Sequence, residues 1–290
     1  MRDYLKIAEG FIDKGNYQKA SEFVNKYLEN NPESSKAFET LGIAKYRLRD
    51  LNSSIQFFEK SISLNPQNDC SLYNLSLIYS SLSDWEKALY FVNEALSINK
   101  LNCDYLYNKA YILHSTDKKN EAIELCNHIL NLFPKHTSSL YLRANLYLKT
   151  EQYQWAIEDF KKLDLKLSNK ASIYNNIGFC YIKLGDISRA KVNLQFALEL
   201  NPSLAFAFNN LGYVYYMEKN FEKALKQINE SLRLDPSNSY ALKNRALVFI
   251  ELNQIDKAID DLEFARELGY SKTYDNEVDL LLEKHRKNSG

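Results

Sequence analysis

An all-α solenoid is the fold this 290-residue sequence predicts, and three observations predict it. Pro32, Pro66, Pro134, Pro202 and Pro236 are separated by 34, 68, 68 and 34 residues, so one 34-residue ruler fits all five. Proline ends helices because it lacks the N–H and its ring clashes with the preceding turn. Stops in register therefore mean one helical unit repeated. The second observation is a pair of columns that stay small. With phases counted from Met1, phase 8 reads Ala8, Gly42, Ser76, Ala110, Ala144, Gly178, Gly212 and Ala246. Phase 20 reads Ala20, Ser54, Ala88, Ala122, Ala156, Ala190, Ala224 and Ala258. Helices approach closely only where side chains are short, so these columns mark the contact between the two helices of a unit. The third is the large complement: Tyr4, Phe38, Leu72, Leu106, Leu140, Tyr174, Phe208 and Leu242 at phase 4, with Val24, Phe58, Val92, Cys126, Phe160, Leu194, Ile228 and Leu262 at phase 24.

The ruler divides the chain into eight units without insertions, at 1–34, 35–68, 69–102, 103–136, 137–170, 171–204, 205–238 and 239–272. Gly15-Asn16, Ser83-Asp84, Gly185-Asp186 and Lys219-Asn220 fall between the two helical stretches of their units, where turn-forming residues belong. In the fifth unit the pattern weakens. Leu163 fills the usually small phase 27 and Ser168 the proline phase, and the leucines of 163–167 alternate with period two. An irregular turn or change of pitch at 163–170 is one expectation; a slightly longer or frayed helix is the other. After 272, Tyr274, Val278, Leu281 and Leu282 form one helical stripe opposite Asp275, Glu277, Glu283 and Lys284. Residues 273–290 are expected to be a capping helix with a polar outside and a frayed end, because a terminal repeat leaves an apolar face uncovered.

A 34-residue helix-pair period with these small and large columns resembles the tetratricopeptide repeat family over essentially the whole chain. The resemblance implies a right-handed superhelix of eight antiparallel helix pairs whose first helices line a concave groove through phases 2, 5, 6, 9, 12 and 13. At phase 6 stand Asn74, Asn108, Asn176, Asn210 and Asn244, with Asn175 and Asn209 at phase 5 and Asn145 at phase 9. Asparagine is a middling helix former, so its repetition inside helices needs a reason. Its amide can match the C=O and N–H of an extended peptide. The pattern resembles the asparagine ladders of the O-linked N-acetylglucosamine transferase superhelix and of kinesin light chain, which implies a gripped peptide backbone. The competing reading is composition: a chain rich in Asn, Lys, Ile and Tyr, whose amides are solvated or bridge neighbouring units.

Tyr73, Tyr107, Tyr111, Tyr141, Phe179 and Tyr213 occupy groove phases between the amides and predict an accessible aromatic patch, the usual mark of an interaction site. Groove charges are mixed, with Lys36, Lys183 and Lys243 among the cations and Glu39 and Glu251 among the anions. No three successive units reproduce the Lys/Asn arrangement with which some family members clamp a chaperone's C-terminal carboxylate; Leu247 stands where an Asn would follow Lys243.

Basic and acidic residues balance at 37 each, which argues against a nucleic-acid partner. No stretch approaches the ~18 apolar residues of a membrane span. The opening residues already form a repeat helix with acidic residues, unlike a signal peptide. Cys70, Cys103, Cys126 and Cys180 make no CxxC pair and read as reduced thiols of a cytoplasmic protein. Cys103 and His114, in the fourth unit with Cys126 and His128, lie roughly 16 Å apart on one helix. They cannot share a metal. With no Gly-rich phosphate loop, HExxH or GxSxG, neither catalytic residues nor a cofactor is expected. The expected function is a protein–protein scaffold or adaptor holding an extended or disordered partner segment. The alternative is a regulatory or substrate-recruiting subunit of an enzyme whose catalytic chain is separate.

Overall fold

The computed structural model describes residues 3–163, 170–273 and 276–286. It forms two compact units, Met1–Leu146 and Tyr147–Gly290. In the first lie α1 (Tyr4–Asp13), α2 (Tyr17–Leu28), α3 (Ser35–Arg47), α4 (Leu51–Leu64), α5 (Asp69–Ser81), α6 (Trp85–Ile98), α7 (Cys103–Ser115), α8 (Lys119–Leu132) and most of α9 (Thr137–Lys149). The second holds α10 (Tyr153–Lys162), α11 (Lys170–Lys183), α12 (Ile187–Leu200), α13 (Ala205–Met217), α14 (Phe221–Leu234), α15 (Ser239–Glu251), α16 (Ile255–Glu267), α17 (Tyr270–Thr273) and α18 (Glu277–Arg286). Among the described residues there is no strand. The fold class is the one the period predicts.

Local chemistry sets the helix ends. Each odd-numbered helix from α1 to α15 stops at phase 13 and the next begins at phase 17. The residue at phase 15 is left-handed every time: Gly15 and Gly185, but also Arg49, Ser83, Asp117, Glu151, Lys219 and Asn253, with φ between 57 and 63° at these six. One left-handed residue ends a helix and turns its last carbonyls onto backbone N–H groups. Phase 16 then supplies the next N-cap. Asn16, Asp50, Asp84, Asp186 and Asn220 each accept from the N–H three residues on. At the other end of the unit the prolines occupy the short turn after the second helix, and Ser34, Asn68, Asn102 and Asn238 cap the helix that follows.

Packing follows the columns. A Cβ added to Gly42, Gly178 or Gly212 would come within 2.7, 2.7 and 2.5 Å of Phe58, Leu194 and Ile228 respectively, so hydrogen at phase 8 makes room for the large residue at phase 24. Cys126, at the same phase as those three, is fully buried, as that phase predicts. In each unit the first helices of successive pairs also touch directly: α1, α3, α5 and α7 in one, α11, α13 and α15 in the other. At the C-terminal end α18 lies on α16, and Val278 and Leu282 join a buried cluster with Leu242, Leu262, Ala265 and Tyr270.

In the fifth unit α10 stops at Lys162, and Leu163 is buried in an extended conformation, so the helix does not run on through 163. The rest of the irregular stretch, 164–169, lies outside the described residues, as do Tyr274 and Asp275 of the C-terminal stripe.

Candidate functional site

The direct contacts between successive first helices decide what the asparagines do. Phases 5 and 6 fall in the seam between those helices. In the second unit Asn210 Nδ2 donates to Asn175 Oδ1 at 2.9 Å, and Asn244 Nδ2 donates to Asn209 Oδ1 at 2.9 Å. The two rungs share one geometry: a phase-6 amide reaches back to the phase-5 amide of the preceding repeat. Asn175 also donates to Asn176 Oδ1 at 3.3 Å. In the first unit Asn108 donates to Ser76 Oγ at 2.7 Å, while Asn74 and Asn145 bond carbonyls of their own helices, those of Cys70 and Tyr141, at 2.8 Å each.

This corrects the expectation that the amides stand open to solvent. Asn108, Asn175, Asn209, Asn210 and Asn244 are buried. A buried amide carries a desolvation cost unless it is hydrogen-bonded. Asn210 and Asn244 meet it by donating to Asn175 and Asn209 across the seam, and Asn108 by donating to Ser76, while the buried Asn244 Oδ1 accepts no hydrogen bond among the described residues. Asn74, Asn145 and Asn176 remain partly exposed.

The aromatic band is likewise less open than expected. Tyr73, Tyr107, Tyr141, Phe179 and Tyr213 are half-buried, while Tyr111 is exposed. Tyr73 packs on Tyr105 with ring centroids 4.6 Å apart, and the Tyr105 hydroxyl donates to Asp69 at 3.1 Å. Burial, with the charge of Asp104 behind it, pushes the Tyr73 phenol up to about 12, so it stays a neutral donor at any physiological pH. Tyr107 meets the edge of His136 at 5.5 Å, and Tyr111 lies near Trp85 at 6.4 Å.

Groove-phase residues of three successive first helices meet in the second unit. Phe179, Ile182 and Lys183 of α11, Asn210, Tyr213 and Met217 of α13, Tyr240 and Lys243 of α15, and Glu277 of α18 line one pocket of about 210 Å³. Lys243 is its electrostatic centre. Its side chain is 4% exposed, its Nζ lies 3.0 Å from Glu277 Oε2, and it sits 4.9 Å from the Tyr240 ring centroid and 5.7 Å from that of Tyr213. Burial raises the Tyr213 phenol, and the Glu277 carboxylate raises it further. Lys183 Nζ lies 5.6 Å from the Phe179 ring on the opposite wall. Tyr240 and Lys243 are legible as groove-phase residues. Glu277 is not: the C-terminal stripe puts it on the solvent side, but it begins α18, and the neighbouring Val278 is anchored in the core, which turns the carboxylate onto Lys243.

No three of His, Cys, Asp and Glu are grouped to hold a metal ion among the described residues, and none of the helices described is long and apolar enough to cross a membrane. The four cysteines are free thiols.

Residues 35–68, 57–90, 104–136, 171–204 and 205–238, together more than half the chain, match tetratricopeptide repeat families. The chain belongs to the tetratricopeptide repeat family. A tetratricopeptide repeat protein from Parabacteroides merdae ATCC 43184 has a similar structure, with a TM-score of 0.61 and 20% identity over 98% of both chains. A chain of the APC/C hetero-tetramer Cut9-Hcn1 is similar at a TM-score of 0.60 and 18% identity, over 84% of this chain and 48% of that one. MamA from Desulfovibrio magneticus RS-1 follows at 0.55 and 21%, over 59% and 97%. At these identities the likeness is one of fold. No curated protein sequence matches the chain. Tetratricopeptide repeat proteins are generally non-catalytic scaffolds, and the fold here supports a protein–protein interaction role.

Proposed function

We propose that the chain is a scaffold or adaptor that binds an extended segment of a partner protein on the first-helix face of its second unit. The observation that carries the reading is the pocket among α11, α13 and α15. Three aromatic rings, those of Phe179, Tyr213 and Tyr240, meet two lysines there and leave concave space between the helices. Aromatic side chains offer large contact area at low entropic cost, and concave sites with a few fixed polar groups are where ligands are held. Asn176, half-buried beside Phe179, is the amide of this face best able to reach a peptide backbone. Asn175, Asn209 and Asn244 act from beneath, setting the spacing of the helices, and Asn210, bonded to Asn175, also lines the pocket. In the first unit Tyr73, Tyr107, Tyr111 and Tyr141, with Asn74 and Asn145, form the corresponding face, with Asn108 in its seam.

The test is capture of partners from extract of the source cells, with bound chains identified by mass spectrometry. Phe179→Ala with Tyr213→Ala should lose a partner that the wild-type chain retains, while the far-ultraviolet helical signal is kept. A double variant that retains every partner would refute the reading. A stoichiometric enzyme among the lost chains would assign the protein the role of recruiting subunit.

A further inference from the structure

Lys243 and Glu277 form an unequal pair. The lysine is 4% exposed and the glutamate 43%. A buried ammonium requires an anionic partner, since its desolvation is otherwise uncompensated. Here that anion comes from the C-terminal helix rather than from the repeats, and it enters from the solvent side. The walls add a second cation, Lys183, and Glu277 is the one carboxylate among the lining residues, so a surplus positive charge remains. Two tyrosine rings lie beside the ammonium. An aromatic face stabilises a cation by its quadrupole, so the lysine keeps its place while one carboxylate is exchanged for another.

We propose that this pocket receives an acidic side chain of a bound peptide segment, and that Glu277 occupies the position within the chain until a partner displaces it. The proposal rests on the scaffold reading and adds the chemistry of the ligand: an Asp- or Glu-bearing segment in competition with α18. Val278 and Leu282 keep α18 in place, so the Glu277 side chain, 43% exposed, can swing towards solvent without the helix leaving the core.

Two short fluorescein-labelled peptides serve as probes, one alternating Glu and Ser and the other Gln and Ser, with binding followed by anisotropy on the full chain. Glu277→Gln should tighten binding of the Glu peptide by roughly fivefold or more, through loss of the internal competitor, and leave the Gln peptide unchanged. The Glu peptide should also raise the Tm of Glu277→Gln more than that of wild type, because it restores an anion to Lys243. Glu277→Asp, which shortens the side chain but keeps the charge, is the second variant, with a smaller gain in the same direction. If Glu277→Gln and Glu277→Asp bind the Glu peptide no better than wild type while the Gln peptide still binds, Glu277 is a structural staple and the proposal falls alone. If neither peptide binds any form, the scaffold reading falls with it.

Discussion

The two units share one helical frame and differ in how they wire its seams. In the second, phase 5 is Asn175 and Asn209, and the phase-6 amide one repeat later closes a rung on each. In the first, phase 5 is Tyr73 where the second has asparagine. With a phenol ring in that place, Asn108 turns instead to Ser76 Oγ at phase 8. The first unit also gathers polar groups at the end of α4, where Asn68 Nδ2 donates to Glu39 Oε2 at 2.9 Å and to Ser61 Oγ at 3.0 Å. Its counterpart in the second is a single bond, Asn238 Nδ2 to Ser231 Oγ at 3.1 Å. The difference teaches that the same amide at the same phase takes its role from the residue one repeat earlier.

Removing α18 gives the largest expected effect and separates the units most sharply. Deleting residues from 277 onwards takes Val278 and Leu282 off the cluster around Leu262, a loss of about 3–6 kcal/mol at 1.5–3 per side chain. Hydrogen exchange should show deprotection of α15 and α16 with α1–α8 unchanged. Equal exchange throughout would mean that α18 contributes no packing.

Gly212→Ala should follow, at about 2–3 kcal/mol, because its Cβ would lie 2.5 Å from Ile228 Cγ1 and 3.2 Å from the α14 backbone. Gly42→Ala, whose three nearest obstacles are all atoms of the Phe58 ring, tests whether the first unit yields more readily. Thermal denaturation of the pair reports both.

The rungs come next. Asn244→Ala leaves the buried Asn209 oxygen without its donor and should cost about 1–2 kcal/mol. Adding Asn209→Ala should cost less than the separate effects combined, the sign of a direct pair. Asn74→Ala, whose amide bonds only within its own helix turn, should change stability by less than about 0.5 kcal/mol. Strictly additive effects at 209 and 244 would break the contrast between the units.

The smallest effect is a gain. Lys219→Gly and Arg49→Gly place glycine where φ is 57 and 63°, and each should stabilise by about 0.5–1 kcal/mol in urea denaturation.

Much of this frame is legible in the sequence, because proline and glycine act through local backbone geometry and the small columns through contacts inside one unit. Cys126 and the Gly212–Ile228 contact follow from column arithmetic alone. The asparagines show where that reading stops. A column lines up equivalent positions, but a rung joins phase 6 to phase 5 of another repeat, and only the contact between first helices shows that the two meet. Asn210 therefore has the same sequence signature whether it grips a peptide or Asn175. The left-handed residue at phase 15 is visible at Gly15 and Gly185 and hidden at Glu151 and Lys219, where the surrounding helices impose a conformation that the side chain does not favour. Glu277 was hidden for a related reason: its direction depends on where α18 is anchored.

Equal repeat lengths suggest interchangeable parts, and the rungs set a grammar on their exchange. The middle repeat of the second unit, 205–238, carries both a socket for its successor, Asn209, and a plug for its predecessor, Asn210. Grafting residues 35–68 in place of 205–238 would present Thr40 to Asn175 and Glu39 to Asn244. Length and helix ends would fit, yet both junctions would be mispaired. Shuffling these repeats to build new binders therefore means moving neighbours together, with the pair of adjoining first helices as the smallest portable word.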